Sequence, residues 1–67
     1  MVMNYVDSSN LDSVGYEDNT LYISFNSGST YAYYGVPENI YHGLMNASSK
    51  GSYHAAYIKN CYRYQKL

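Results

Sequence analysis

Leu21-Tyr22-Ile23-Ser24-Phe25-Asn26-Ser27-Gly28-Ser29-Thr30-Tyr31-Ala32-Tyr33-Tyr34 decides the fold of this 67-residue chain. Leu21, Ile23 and Phe25 alternate with Tyr22 and Ser24, the period-two pattern of a half-buried strand. Asn26 to Ser29 then reads as a turn, with Gly28 supplying a positive φ. A second strand follows from Thr30 to Tyr34. In it Tyr31 and Tyr33 share one face, and Ala32 and Tyr34 share the other.

Working outward, Leu11 to Glu17 reads as a preceding strand carrying Val14 and Tyr16, joined to Leu21 through the polar turn Glu17-Asp18-Asn19. Val2 to Val6 is a candidate edge strand. After the meander, Gly35-Val36-Pro37-Glu38 ends the sheet and starts a helix. Proline suits the first helical position because its φ is preset and its missing donor would be unpaired anyway. Ile40, Tyr41, Leu44 and Ala47 form a one-sided apolar stripe that would lie on the sheet. The helix should stop near Asn46 to Ser48. Ser48 to Ser52 reads as a loop in which Ser49 or Ser52 caps a second helix from about Tyr53 to Cys61, with Ala56, Tyr57 and Ile58 on its apolar side. Tyr62-Arg63-Tyr64 is expected as an extended tail. The expected architecture is therefore α+β: an antiparallel meander of three to four strands followed by two C-terminal helices packed on it, in one domain spanning residues 1–67.

The composition is unusual in one respect. Eleven residues are tyrosine, with one phenylalanine and no tryptophan. A buried phenol must find a hydrogen-bond partner or sit at a wet edge, so this surplus points to rings that face a ligand or a partner. A chain of this length buries only about 60% of the surface its unfolded form exposes, and homo-oligomerisation or a bound ligand is an expected source of added stability. The single cysteine, Cys61, has no partner for an internal disulfide and is expected half-buried at a helix end. No cluster of Cys and His has zinc-site spacing, and no cofactor is implied. No apolar run reaches the roughly 20 residues of a membrane span, and Met1 to Asp7 lacks the pattern of a signal peptide, so a cytoplasmic protein is expected.

The formal net charge is −1, from four basic and five acidic side chains. Gripping a long polyanion takes many cations, which disfavours extended RNA or DNA. Catalysis is not expected either. Asp7, Asp12, Glu17, Asp18 and Glu38 fall at strand ends, turns and a helix start without pairing on one face, and a Ser49–His54 pair would lack an orienting acid and an oxyanion hole. Binding is the better fit. Tyr31, Tyr33 and Tyr34 could display rings for stacking, and Ser49-Lys50-Gly51 before a helix has the residue types of an anion-binding nest. Lys59 and Arg63, four apart, would line one side of the helix end if the helix continued, with Lys66 three residues on.

These residues also carry a resemblance. Ser8-Ser9, Gly15-Tyr16, Leu21 to Phe25, Gly28, Tyr31-Ala32-Tyr33, Val36-Pro37, Tyr41, Leu44, Ala47, Ser49-Lys50-Gly51, Tyr53, Ile58 and Tyr62 make the chain similar to the KTSC domain, named for the C-terminus of some lysyl-tRNA synthetases and also found in stand-alone bacterial and phage proteins. The resemblance runs from about Val6 to Leu67 and implies a small α+β domain. Its pattern falls on Tyr31, Tyr33, Ser49, Lys50, Gly51, Tyr53 and Ile58, with Lys59 where a basic residue is usual. The chain departs from it at His54-Ala55, where Phe-Asn is common, and at Arg63, where proline is frequent.

The expected function is non-enzymatic binding of a small phosphorylated nucleotide-type ligand, with the base stacked on tyrosines and the phosphates on the Ser-Lys-Gly loop and Lys59 or Arg63. The expected ligand contacts are Tyr31, Tyr33, Tyr34, Ser49, Lys50, Gly51, Tyr53, His54, Lys59 and Arg63. A phage-encoded sponge for nucleotide immune signals, acting in the host cytoplasm, fits that logic. The alternatives are an RNA-binding accessory module, as the synthetase context implies, and a protein-interaction module that uses tyrosines as anchors.

Overall fold

A computed structural model describes residues 1–67. Five antiparallel strands form one sheet in sequence order: β1 (Asn4–Tyr5), β2 (Leu11–Glu17), β3 (Thr20–Phe25), β4 (Thr30–Tyr34) and β5 (Arg63–Lys66). Two helices, α1 (Glu38–Asn46) and α2 (Lys50–Tyr57), lie between β4 and β5 in the chain. The α+β class and the meander followed by two helices are as the sequence predicts, and the sheet has five strands rather than three or four.

The β2–β3 connection is a two-residue hairpin. Asp18 and Asn19 both have positive φ, at 52° and 60°, which is the left-handed pair of a type I′ turn whose twist matches that of the flanking strands. Gly28 takes φ 100° in the next turn, where a side chain would be strained. The register of β2 on β3 shifts between Leu11 and Ser13, so Asp12 is a bulge residue and is left exposed. That extra residue sets the faces. Leu11 and Val14 both point into the core although three positions separate them.

The core is one buried cluster: Leu11, Val14, Leu21, Ile23 and Tyr33 from the sheet, Val36 and Leu44 from α1 and its approach, and Ile58 just after α2. Tyr16 and Tyr41 close one end, stacked with centroids 4.8 Å apart and planes within 10°. The Tyr16 hydroxyl donates to the Val36 carbonyl at 2.5 Å. On the opposite sheet face Ser13, Gly15 and Ala32 are also buried. At Gly15 a Cβ would meet the Met3 Sδ at 2.6 Å, so the N-terminal segment crosses the sheet where β2 carries no side chain.

Several expectations shift. Pro37 is the N-cap of α1 (ψ 155°) rather than its first helical residue, and its carbonyl accepts from Ile40. Ser49 caps α2 as expected, its side chain accepting from the Ser52 amide. But the helix begins at Lys50 and ends at Tyr57, earlier at both ends than the predicted span. Ala56 and Tyr57 are exposed, and α2 turns Tyr53 and His54 inward instead. A histidine counts as polar in a periodicity argument, so the sequence pattern does not mark His54 as a core residue. Cys61 is exposed in the turn after α2, not half-buried on a helix. The tail is a true strand: Arg63 to Lys66 pair with Tyr34 to Tyr31. No helix is long and apolar enough to cross a membrane.

Candidate functional site

β5 widens the sheet beyond the ground that the helices cover, and the uncovered part of the core face becomes a cleft. Its volume is about 390 Å³. Tyr31 and Tyr33 contribute from β4 and Tyr64 from β5, directly across from Tyr33. Phe25 from the end of β3 and His54 from α2 complete an aromatic lining. The rings contact one another in series. Tyr31 stacks on Tyr33 (6.3 Å, 26°), Tyr64 leans on both (5.8 and 6.0 Å), and Phe25 meets Tyr31 and His54 edge to face (5.8 and 5.2 Å). Polar groups ring the opening: Asn10, Ser27, Ser29, Lys59 and Asn60.

One hydrogen bond organises the floor. The Tyr33 hydroxyl and His54 Nε2 are 2.8 Å apart and buried. Desolvation pushes the Tyr33 phenol up to about 12, with the neighbouring Tyr31 and Tyr64 phenols adding to the shift. Desolvation lowers the His54 pKa, and the Lys59 ammonium lowers it further. Both effects favour the neutral forms. At neutral pH the floor is therefore uncharged, and Lys59 is the one cation in the lining; no carboxylate is among the lining residues.

The structure brings together five of the sequence-predicted residues: Tyr31, Tyr33, Gly51, His54 and Lys59 all line the cleft. Ser49 and Lys50 do not. They line a separate polar hollow of about 210 Å³ with Asp7, Ser8, Ser9, Ser48 and Gly51. There the Lys50 ammonium donates to the Ala47 carbonyl at 3.1 Å, tying down the end of α1, and Ser49 is occupied in capping α2. The predicted Ser-Lys-Gly loop is thus largely the first turn of a helix, and Asp7 brings a carboxylate to its hollow. Tyr53 leans on Tyr57 of the same helix (4.7 Å, planes 42° apart) and packs against Gly43 of α1, joining the two helices. Tyr34 and Arg63 lie on the other sheet face, where the Tyr34 hydroxyl donates to Gln65 Oε1 at 3.0 Å. Because α2 ends at Tyr57, Lys59 and Arg63 never share a helix side.

Sequence reasoning missed Phe25, Tyr64, Asn10 and Asn60. Phe25 was legible as the last member of the Leu21, Ile23, Phe25 face. Tyr64 was not, since its role depends on a tail strand returning to β4. The Ser49–His54 pair does not form, as His54 Nε2 is engaged by Tyr33. No group of three or more His, Cys, Asp or Glu side chains is placed to hold a metal ion.

The model of the KTSC domain family matches residues 7–64. The chain belongs to the KTSC domain family. A crystal structure of a KTSC domain protein from Yersinia pestis superposes with a TM-score of 0.92 at 39% identity, covering 98% of this chain and 96% of that one. A lysine–tRNA ligase from Trichormus variabilis is 44% identical over 48 residues, and one from Nostoc punctiforme is 42% identical over 48. In each case the match is 72% of this KTSC domain but only 9% of the ligase. A protein from Tsukamurella paurometabola is 33% identical over 63 residues, or 91% of this chain and 94% of its own. The matched range takes in the whole cleft lining, from Asn10 to Tyr64.

Proposed function

We propose that this KTSC domain is a non-enzymatic binding module whose aromatic cleft takes a small phosphorylated nucleotide-type ligand. The observation that carries the reading is the juxtaposition of Tyr31, Tyr33 and Tyr64 with the single ammonium of Lys59 at one opening. A base stacked on such rings gains about 1–3 kcal/mol, and Asn10, Asn60 and the serines offer donors and acceptors to its edges. The cleft is near the small end of ligand pockets, which run from about 300 to 1,000 Å³. Lys50 and Arg63 have no part in it. Sequestration of a nucleotide signal, as by a phage sponge, is one use such a binding-only cleft would serve.

The test is a thermal-shift screen against mono-, di- and cyclic nucleotides, at two salt concentrations. A ligand at 100 times its Kd adds about 2.7 kcal/mol, several degrees for so small a domain. A shift that Tyr31→Ala removes is the expected result. No shift with any nucleotide at millimolar concentration would refute the reading.

A second reading, an RNA-binding accessory module, is favoured by the similarity to lysine–tRNA ligases. It differs in salt dependence. A tract of RNA held through several phosphates loses affinity steeply with salt, at a slope of about −0.7 per phosphate contact for single strands. A single contact at Lys59 gives a slope below one.

A further inference from the structure

The charges at the cleft set a limit on its ligand that goes beyond binding a nucleotide. We infer that the ligand is one nucleotide unit whose phosphate is a singly charged diester, and this rests on the nucleotide reading of the same cleft. The ligand's phosphate would pair with Lys59 while its base lies on Tyr31 and Tyr64.

Lys59 is the only cation among the lining residues, and its ammonium makes no hydrogen bond or ion pair within the protein. Every other basic group is committed or elsewhere. Lys50 donates to the Ala47 carbonyl in the second hollow. Arg63 sits opposite Tyr34 on the far sheet face. Lys66 lies across from Tyr31 and so shares the cleft's sheet face, but it is exposed at the edge strand and is not among the residues that line the cleft. His54, buried in its bond to Tyr33, supplies no second charge at neutral pH, because burial and the nearby Lys59 ammonium both disfavour its protonated form. The remaining lining is aromatic or uncharged: Phe25, the three tyrosines, two asparagines, two serines, Gly51 and Ala55.

A phosphate monoester carries about −1.5 to −2 at neutral pH, and a di- or triphosphate carries more. One ammonium leaves that excess unpaired beside apolar rings, where an uncompensated charge is costly. A diester has a single negative charge, so it is neutralised by Lys59 alone. Size points the same way. A 390 Å³ cleft lies near the lower bound for ligand sites and suits one base rather than two stacked bases with their sugars. Two sources supply this chemistry: a mononucleotide closed into a cyclic phosphate, or one nucleotide within a single-stranded RNA.

Calorimetric titration of the full chain at pH 7.5 separates these cases. For each of the four common ribonucleosides, the panel is the 3′,5′-cyclic and 2′,3′-cyclic monophosphates, the 5′-monophosphate, the di- and triphosphates, and an oligoribonucleotide of the same base. We expect a cyclic monophosphate or the oligoribonucleotide to bind at least about tenfold tighter than the monoester and the polyphosphates. Lys59→Gln should abolish that preference, and because Lys59 is exposed the variant should keep the wild-type melting temperature. A cyclic nucleotide binding as tightly as the oligomer assigns the free source, and a clear preference for the oligomer assigns RNA. Equal or tighter binding of the monoester, diphosphate or triphosphate would overturn the inference while leaving nucleotide binding intact. Absence of binding by the whole set would overturn both.

Discussion

Tyr33 on β4 and His54 on α2 are joined by a buried hydrogen bond of 2.8 Å, and this bond ties the second helix to the sheet at the floor of the cleft. Each partner satisfies a polar atom that would otherwise be stranded beside Phe25 and Tyr31. Tyr33→Phe should therefore destabilise the domain by about 1–3 kcal/mol, since it leaves a buried imidazole nitrogen without a partner. Tyr33→Phe combined with His54→Phe should cost less than the sum of the two single changes. Urea denaturation of the four proteins checks it, and strict additivity would deny the pair its role.

The same pair makes stability depend on pH at two limbs. His54 has a folded pKa below its ordinary 6.5, so the unfolded chain takes up the proton first as pH falls. Stability should be full above about pH 7 and decline as pH drops through 6.5 towards the folded value, where the slope flattens. Tyr33, raised from 10.0 to about 12, acts at the other end. The unfolded chain loses its proton first, so stability should fall between pH 10 and 12. Urea midpoints across pH 5 to 8 for wild type and His54→Gln check the acid limb; an unchanged slope in the variant would assign it to other groups.

Gly43 offers a prediction whose sign is decided by tertiary contact. In an exposed helix interior, Gly→Ala adds about 1 kcal/mol of stability. Here the Tyr53 ring occupies the space a Cβ would need. Gly43→Ala should instead destabilise by about 1–3 kcal/mol, the usual cost of overpacking. Trimming the ring with Tyr53→Leu should recover much of the loss in the double variant, measured by thermal melts.

Ser49 serves as the N-cap of α2 through its bond to the Ser52 amide. Ser49→Ala should cost about 0.5–2 kcal/mol in stability. Ligand affinity should hold, because Ser49 lies outside the aromatic cleft. Loss of affinity in a fully folded Ser49→Ala protein would return the Ser-Lys-Gly segment to the binding site.

The two faces of β4 should differ in binding. Tyr31→Ala removes a ring from the cleft and should lower nucleotide affinity by about 1–3 kcal/mol. Tyr34→Ala alters the opposite face and should leave affinity within twofold. Titration of both variants with the same nucleotide checks the contrast.

Much of the fold was legible because short-range rules determine it. Alternation in Leu21 to Phe25 and in Thr30 to Tyr34, the polar turn at Asp18-Asn19, the positive φ at Gly28 and the Ser49 cap each follow from local backbone chemistry. The site was legible only in part. Tyr31, Tyr33, His54 and Lys59 were identified as residue types suited to a ligand, and they do converge. Tyr34 and Arg63 are of the same residue types, but the pleat sends both to the other face. For Tyr34 the two-residue alternation already said so, whereas Arg63 required knowing that the tail is a strand. Lys50 matched an anion-binding pattern, yet its ammonium is used to close the end of α1.

By itself, the sequence determined the three central strands, their turns and the Ser49 cap, the small α+β class, and a composition rich in rings and poor in cations, since these depend on neighbours a few residues apart or on composition alone. Only the tertiary structure decided that residues 63–66 return as a fifth strand, that His54 turns inward to meet Tyr33, and that Lys59 is the one cation lining the cleft. Those outcomes rest on contacts between segments far apart in the chain. They are settled by which surfaces the sheet and helices leave uncovered, a property no local pattern encodes.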